Sequence, residues 1–317
     1  MVDNVTRCSA TTRRIFIANL VAQAAIVLTG AIVRLTGSGL GCPTWPECVE
    51  GSVVPTSSQV ESWHKYVEFG NRLLTFVLVI LAVAALAAVL LDHQARKRRL
   101  LVALAAIPLV GTVAQAILGG ITVLTGLAPQ IVAAHFLVSM LIIAGCVQLV
   151  ARSYDPTAPD AHMAVSVPPT VWWLILGLVG VTAVVIVLGV AVTGTGPHSG
   201  DTGVDARLPL DPRIISWIHA DFVFAFLGLC LGAIGALHLV RAPRRARLLA
   251  WSCLALALVQ GTVGYTQYFT GLPIVLVAVH VLLACLLWIA VLFLPMSVRA
   301  LRGTDPQLPR GTAAPGR

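Results

Sequence analysis

Residues 115–137, QAILGGITVLTGLAPQIVAAHFL, return at 260–282 as QGTVGYTQYFTGLPIVLVAVHVL without a gap. Gln115 falls on Gln260, Gly119 on Gly264, Thr125-Gly126-Leu127 on Thr270-Gly271-Leu272, and His135 on His280. Each copy is two apolar stretches joined by a short Thr-Gly-Leu turn. A fainter echo links VRLTGSG (33–39) to VAVTGTG (190–196). A chain that repeats at this distance is built from two units, and the content of one unit sets the architecture.

Working outward, apolar runs of about 20 residues, long enough for a hydrocarbon core of roughly 30 Å, cover much of the chain. They lie at about 15–35, 67–91, 100–124, 131–151, 171–193, 213–240, 248–269 and 274–294. The first is too long for a signal-peptide core and has no clear cleavage site, so it reads as a span. With 58% hydrophobic and 11% charged residues and a mean hydropathy of +0.91, the chain cannot clothe a soluble surface. Each repeat holds four spans, an even number, so both halves enter the membrane in the same sense. The expected fold is an all-α integral membrane protein with eight transmembrane helices. They form two tandem four-helix bundles related by a pseudo-twofold axis along the membrane normal.

Sixteen of the 21 Lys and Arg residues fall on the face that carries both termini, which the positive-inside rule makes cytoplasmic. The net charge of +8 therefore reports topology, not nucleic-acid binding. The expected divisions are a cytoplasmic amino tail (1–14), an amino-terminal bundle (15–151), a cytoplasmic linker (152–170), a carboxyl-terminal bundle (171–295) and a disordered Pro-, Gly- and Arg-rich cytoplasmic tail (296–317). Of seven cysteines only Cys42 and Cys48 fall on the outer side, in GLGCPTWPEC, where a disulfide persists. Spacing alone leaves a disulfide and two free thiols both open; a disulfide is the expectation.

Eight histidines are present. His93 and His238 sit at cytoplasmic helix ends, His162 in a cytoplasmic loop and His198 in the outer loop GTGPHSGD. His135, His219 and His280 differ: each lies inside an apolar helix about two turns from its outer end. One such residue alone reads as a hydrogen-bonded structural histidine, but three at one depth point to function. Zinc would usually recruit cysteine or carboxylate partners, and no such cluster is visible. Two imidazoles on facing helices, here His219 and His280, suit bis-imidazole ligation of haem iron.

The second span, with SWHKYVEFGNRLL at 62–74, offers both His64 and Asn71 as partner for His135. His135 lies 17 residues from Arg152, His219 lies 22 from Arg241 and His280 lies 19 from Arg299. Asn71 lies 25 residues from Arg96, and His64 lies 32. At 1.5 Å per residue, His64 is about 10 Å further out than Asn71 on the same helix face. Two accounts stay open. Either His135 alone holds the ligand with Asn71 across from it, or helix 2 is shifted and His64 reaches the iron; the depth count favours the first. Arg34, Arg72 and Arg213 lie near the outer boundary. There they either meet carboxylate groups of a ligand or snorkel to lipid headgroups. Gln115 and Gln260 are placed to hydrogen-bond between helices.

TGSGLGCPTWPEC, EFGNRLL, TGTGPHSGD and the two Gln-to-His segments together resemble the haem A synthase family, over roughly residues 15–295. The resemblance implies an oxidoreductase that converts a methyl group of haem O to the formyl group of haem A for terminal oxidases. Two hydroxylations would give a geminal diol that loses water. It also implies a haem b cofactor on His219 and His280 and the substrate haem O on His135. Glu68 is implied as the nearby catalytic carboxylate, acting as a base or on developing positive charge; its alternative is a helix pair with Arg72. Arg34, Arg72 and Arg213 become candidates for the haem propionates. The family's helix-2 pattern Glu-x-x-His-Arg here reads Glu68-Phe69-Gly70-Asn71-Arg72, so one histidine is replaced. Implied partners are the lipid bilayer of a bacterial cell, haem O synthase and oxidase assembly factors, with self-association left open. Two rivals stand beside this reading. One is a di-haem electron carrier, which would need histidine pairs in both halves; the other is a transporter, which would need broken helices.

Overall fold

The computed structural model describes residues 7–156, 163–197 and 207–301; His162, His198 and the tail beyond 301 lie outside the described residues. In chain order the elements are α1 (Ala10–Leu35), α2 (His64–Leu91), α3 (Arg99–Leu124), α4 (Pro129–Ser153), β1 (Met163–Val165), α5 (Pro169–Thr195), α6 (Pro212–Leu239), α7 (Arg244–Phe269), α8 (Ile274–Ser297) and β2 (Arg299–Leu301). All eight helices are long and apolar enough to cross a membrane. Polar side chains and prolines mark several of the helix starts. Ser9 accepts the Thr12 N–H at 3.1 Å, Asp211 accepts those of Arg213 and Ile214, and Pro129, Pro169 and Pro212 open their helices without wasting a donor.

The first four helices pack as a closed ring, α1 on α2, α2 on α3, α3 on α4 and α4 back on α1, and α5 to α8 repeat the arrangement. Contacts between the halves obey the expected twofold. α1 on α8 is matched by α5 on α4, while α4 on α8 is its own counterpart. At that seam the Trp288 indole N–H donates to the Met140 carbonyl at 3.0 Å. Small residues let backbones approach: a Cβ on Gly111 would meet Ile142 at 2.6 Å, and one on Gly145 would meet Ile107 at 2.7 Å, a reciprocal fit of α3 and α4. The outward faces carry large exposed apolar side chains such as Phe76, Trp173, Val275 and Phe269, as lipid contact demands.

At the basic end, β1 pairs antiparallel with β2 and ties the segment after α4 to the segment after α8. Asp155 accepts from Arg299 at 3.1 Å and lies within 4 Å of Arg98 and Arg152. The amino tail is held there by Asp92, which caps the end of α2. Its carboxylate accepts the Ser9 N–H (2.8 Å), the Thr12 hydroxyl (3.0 Å) and the N–H groups of Gln94 and Ala95. Partial burial works to raise this carboxyl group's pKa, but the hydrogen bonds outweigh it and hold the pKa below its ordinary value. A depressed folded-state pKa means the tether is at full strength above the unfolded value, near pH 4, and weakens as pH falls through the lower folded value. Protection of the Ser9 amide, taken relative to its intrinsic exchange rate, is therefore expected to fall on acidification below about pH 4. Asp92→Asn should remove that dependence. Protection that stays constant across this range would refute the tether.

Candidate functional site

Four positions lie at one depth below the end that carries the long 36–63 loop. Asn71 is seven residues into α2, His135 six into α4, His219 seven into α6 and His280 six into α8. Each is thus about 10 Å down its helix. His64 is the first residue of α2, level with the mouth, so the structure brings Asn71 and not His64 into line with the three imidazoles.

Each imidazole leans on a glycine of the preceding helix. A Cβ on Gly119 would lie 3.4 Å from His135 Cε1, one on Gly189 3.2 Å from His219 Cε1, and one on Gly264 3.1 Å from His280 Cε1. In all three rings Nδ1 is buried without a hydrogen-bond partner. The Gln115 side-chain N–H donates to the His135 carbonyl at 2.8 Å, and that of Gln260 to the His280 carbonyl at 3.0 Å. The repeated Gln-to-His spacing is therefore a helix-to-helix clamp, one per bundle. Each clamp fixes the backbone that carries an imidazole.

At the fourth position the Thr29 hydroxyl, on α1, lies 2.8 Å from the Asn71 amide oxygen and donates to it. His64 is held elsewhere. Its Nδ1 lies 2.8 Å from Ser38 Oγ, which is 2.8 Å from Thr36 Oγ1, and its ring stacks on Trp63. The Thr36 hydroxyl faces the Ile32 carbonyl at 2.8 Å, a group that only accepts, so its proton goes there. The Ser38 proton then goes to Thr36, and Ser38 accepts from His64 Nδ1–H. In this chain of single protons Nδ1 of His64 is the donor to Ser38.

Glu68 is one turn below His64 and buried at 5% exposure. One of its oxygens accepts the Cys42 N–H at 2.8 Å, and the other accepts two donors from Arg72, at 2.6 and 3.1 Å. The Arg72 guanidinium also donates to the carbonyls of Cys42, Thr44 and Glu47. Cys42 and Cys48 are joined as a disulfide, with Cα atoms 4.3 Å apart. The loop they close lies over α3, where a Cβ on Gly120 would meet the Trp45 ring at 2.5 Å. Arg34 reaches across the seam to the Thr193 carbonyl at 3.2 Å and keeps a buried, unpartnered Nε. Arg213 stacks on Trp217 at the exposed start of α6.

A model of the COX15-CtaA family, described as cytochrome oxidase assembly protein, matches residues 13–198, more than half of the chain. The chain belongs to this family. The chain is 27% identical to a haem A synthase of Halalkalibacterium halodurans over 290 residues, covering 86% of this chain and 91% of that protein. It is 28% identical to the haem A synthase of Alkalihalophilus pseudofirmus over 295 residues, 89% of this chain and 93% of the relative. A shorter match to the haem A synthase of Geobacillus kaustophilus reaches 35% identity over 118 residues, 37% of this chain and 35% of the relative. Among the site features, the imidazole-bearing glycines and the Thr29–Asn71 bond went unread in the sequence. Gly119 and Gly264 were visible as matched positions of the repeat, whereas Thr29 carried no signal.

Proposed function

We propose that this chain is a haem A synthase, an oxidoreductase that oxidises a methyl group of haem O to a formyl group. The observation that carries the reading is the unequal pair of bundles. One presents two imidazoles at matched depth, His219 and His280; the other presents one, His135, opposite an amide already engaged by Thr29.

Two features support a fit of the carboxyl-terminal pair to haem b. Both rings are seated against bare glycine backbone, and neither ring's Nδ1 is committed to another side chain. His219 and His280 would hold that haem, which supplies electron transfer when bound. His135 would hold the haem O substrate from one side only, and Asn71 would leave the opposite side open. Glu68 is best suited to act as a fixed negative charge beside the carbon being oxidised, because both its oxygens already accept hydrogen bonds. Arg34, with its unpartnered Nε near the mouth, is the better propionate contact; the Arg72 donors are engaged by Glu68 and the loop. The basic helix ends would face the cytoplasm and the disulfide loop the outside of the cell membrane. Substrate would then arrive from a haem O synthase, and product pass to oxidase assembly.

The test is extraction and chromatographic identification of haems from cells that make haem O but no haem A, with and without this chain. Appearance of haem A supports the synthase. Persistence of haem O alone, with a reducible haem in the purified protein, overturns it in favour of an electron carrier.

A further inference from the structure

We propose that Gly119, Gly189 and Gly264 are positioning residues that set how deeply each imidazole seats against the neighbouring helix, and so aim its Nε2 into the bundle. The proposal rests on the reading of His135, His219 and His280 as haem ligands.

The contact is the same in all three places. The Cε1 corner of the ring enters the gap that the missing side chain leaves, and an added Cβ would stand 3.1 to 3.4 Å from it. At Gly264 and Gly189, with 3.1 and 3.2 Å, the ring would have to give by a few tenths of an ångström; at Gly119 the 3.4 Å contact is looser. Two of the glycines belong to the duplicated segment, but Gly189 lies outside it, so copying of one sequence does not account for the third.

The glycine also opens a route to a hydrogen bond. The backbone carbonyl of Val185 faces the His219 ring, and that of Gln260 faces His280, although neither pair reaches hydrogen-bond geometry. Each of these residues lies four before its glycine, so its carbonyl is the one that the glycine N–H meets inside the helix. A carbonyl has a second lone pair, which stays reachable where no Cβ covers it. Gln115 stands in the same relation to Gly119. A small turn of the ring brings Nδ1–H onto that carbonyl, which fixes the tautomer and leaves Nε2 as the iron-binding nitrogen.

The fourth position serves as an internal comparison. There the side chain is Asn71, its neighbour on α1 is the Thr29 hydroxyl, and a Cβ on adjacent Gly30 would meet nothing within 4 Å. A glycine contact accompanies the imidazole and is missing where the imidazole is missing.

The experiment uses full-length protein purified from membranes. Gly264→Ala, Gly189→Ala and Gly119→Ala are compared with Gly261→Ala, a site on the same helix as Gly264 where a Cβ meets nothing within 4 Å. The readouts are haem b per protein, the low-spin electron paramagnetic resonance signal of a bis-imidazole haem, and the melting of protein prepared from haem-starved cells. Gly264→Ala and Gly189→Ala should lower haem b retention about tenfold, the scale seen when outer partners of a ligating histidine are lost. They should shift the low-spin signal and leave melting of the haem-free protein unchanged. Gly119→Ala should spare haem b and weaken binding of added haem O, while Gly261→Ala changes nothing. If Gly264→Ala does not accumulate, Gly189→Ala carries the same test from α5. Wild-type haem content and signal in both variants would overturn the proposal, as would haem loss matched by an equal fall in haem-free melting. His280→Ala separates the two levels. If it loses haem while the glycine variants keep it, only the positioning role fails; if it also keeps haem, the ligand reading fails with it.

Discussion

Replacing His280 with alanine is expected to reduce the haem b of the purified protein by at least about tenfold and to abolish its low-spin signature. The same is expected of His219→Ala. Both residues sit six or seven positions down their helices, and Nδ1 of each ring is buried with no side-chain partner. In either variant only one of the two imidazoles that would hold the haem remains. His135→Ala should behave differently: haem b stays at wild-type level while conversion of haem O stops. Pyridine haemochrome content measured on the three variants checks the assignment. Retention of haem b in His219→Ala and His280→Ala together would remove the basis for placing the cofactor in the carboxyl-terminal bundle.

Arg72→Ala should be the most damaging change at the mouth, costing about 3–5 kcal/mol of stability. The guanidinium neutralises Glu68, whose side chain is only 7% exposed, and it donates to three loop carbonyls around the disulfide. Removing it strands a buried carboxylate and releases the backbone of residues 42–47 at the same time. Arg72→Lys should recover little, because a single ammonium cannot span the Glu68 carboxylate and the three carbonyls as a planar fork does. The measurement is thermal unfolding in detergent together with the rate at which Cys42–Cys48 is reduced by an added thiol. Faster reduction and a lower melting point are expected for both variants. Glu68→Gln offers the contrast, since it removes the charge while its single amide oxygen keeps an acceptor for one of the two donors, the Cys42 N–H or Arg72. Near-normal loop protection with lost haem A formation would mark the Glu68 charge as the feature that matters. Wild-type melting in Arg72→Ala would show that the loop is anchored by other contacts.

The helices and their twofold arrangement were legible in the sequence because both are consequences of one-dimensional patterns. Apolar length reports a span, since every backbone polar group in lipid must be satisfied within its own helix. The Gln-to-His repeat reports two equivalent bundles. Helix starts were less legible: α1 opens at Ala10 and α7 at Arg244, ahead of their apolar runs; Ser9 caps the first, and the second follows Pro243 without a side-chain cap. Depth counting placed Asn71 beside the three histidines and left His64 nearer the surface, an order the helix bounds reproduce.

By itself the sequence determined composition-driven matters: eight spans, their pairing into two halves, the cysteine pair in the first loop and the depth of each imidazole. Only the tertiary structure decided what each of those side chains touches. That Arg72, beyond its helix pair with Glu68, holds the disulfide loop depends on residues 25 to 30 positions away folding back over the helix. That Thr29 faces Asn71, and that glycines rather than side chains face the histidines, depends on the rotation of neighbouring helices about their own axes. In lipid this rotation is poorly marked by hydropathy, because the inner and outer faces of a membrane helix are both apolar. It is set by small-residue fits and single interhelical hydrogen bonds, whose partners are identified only when the helices are packed.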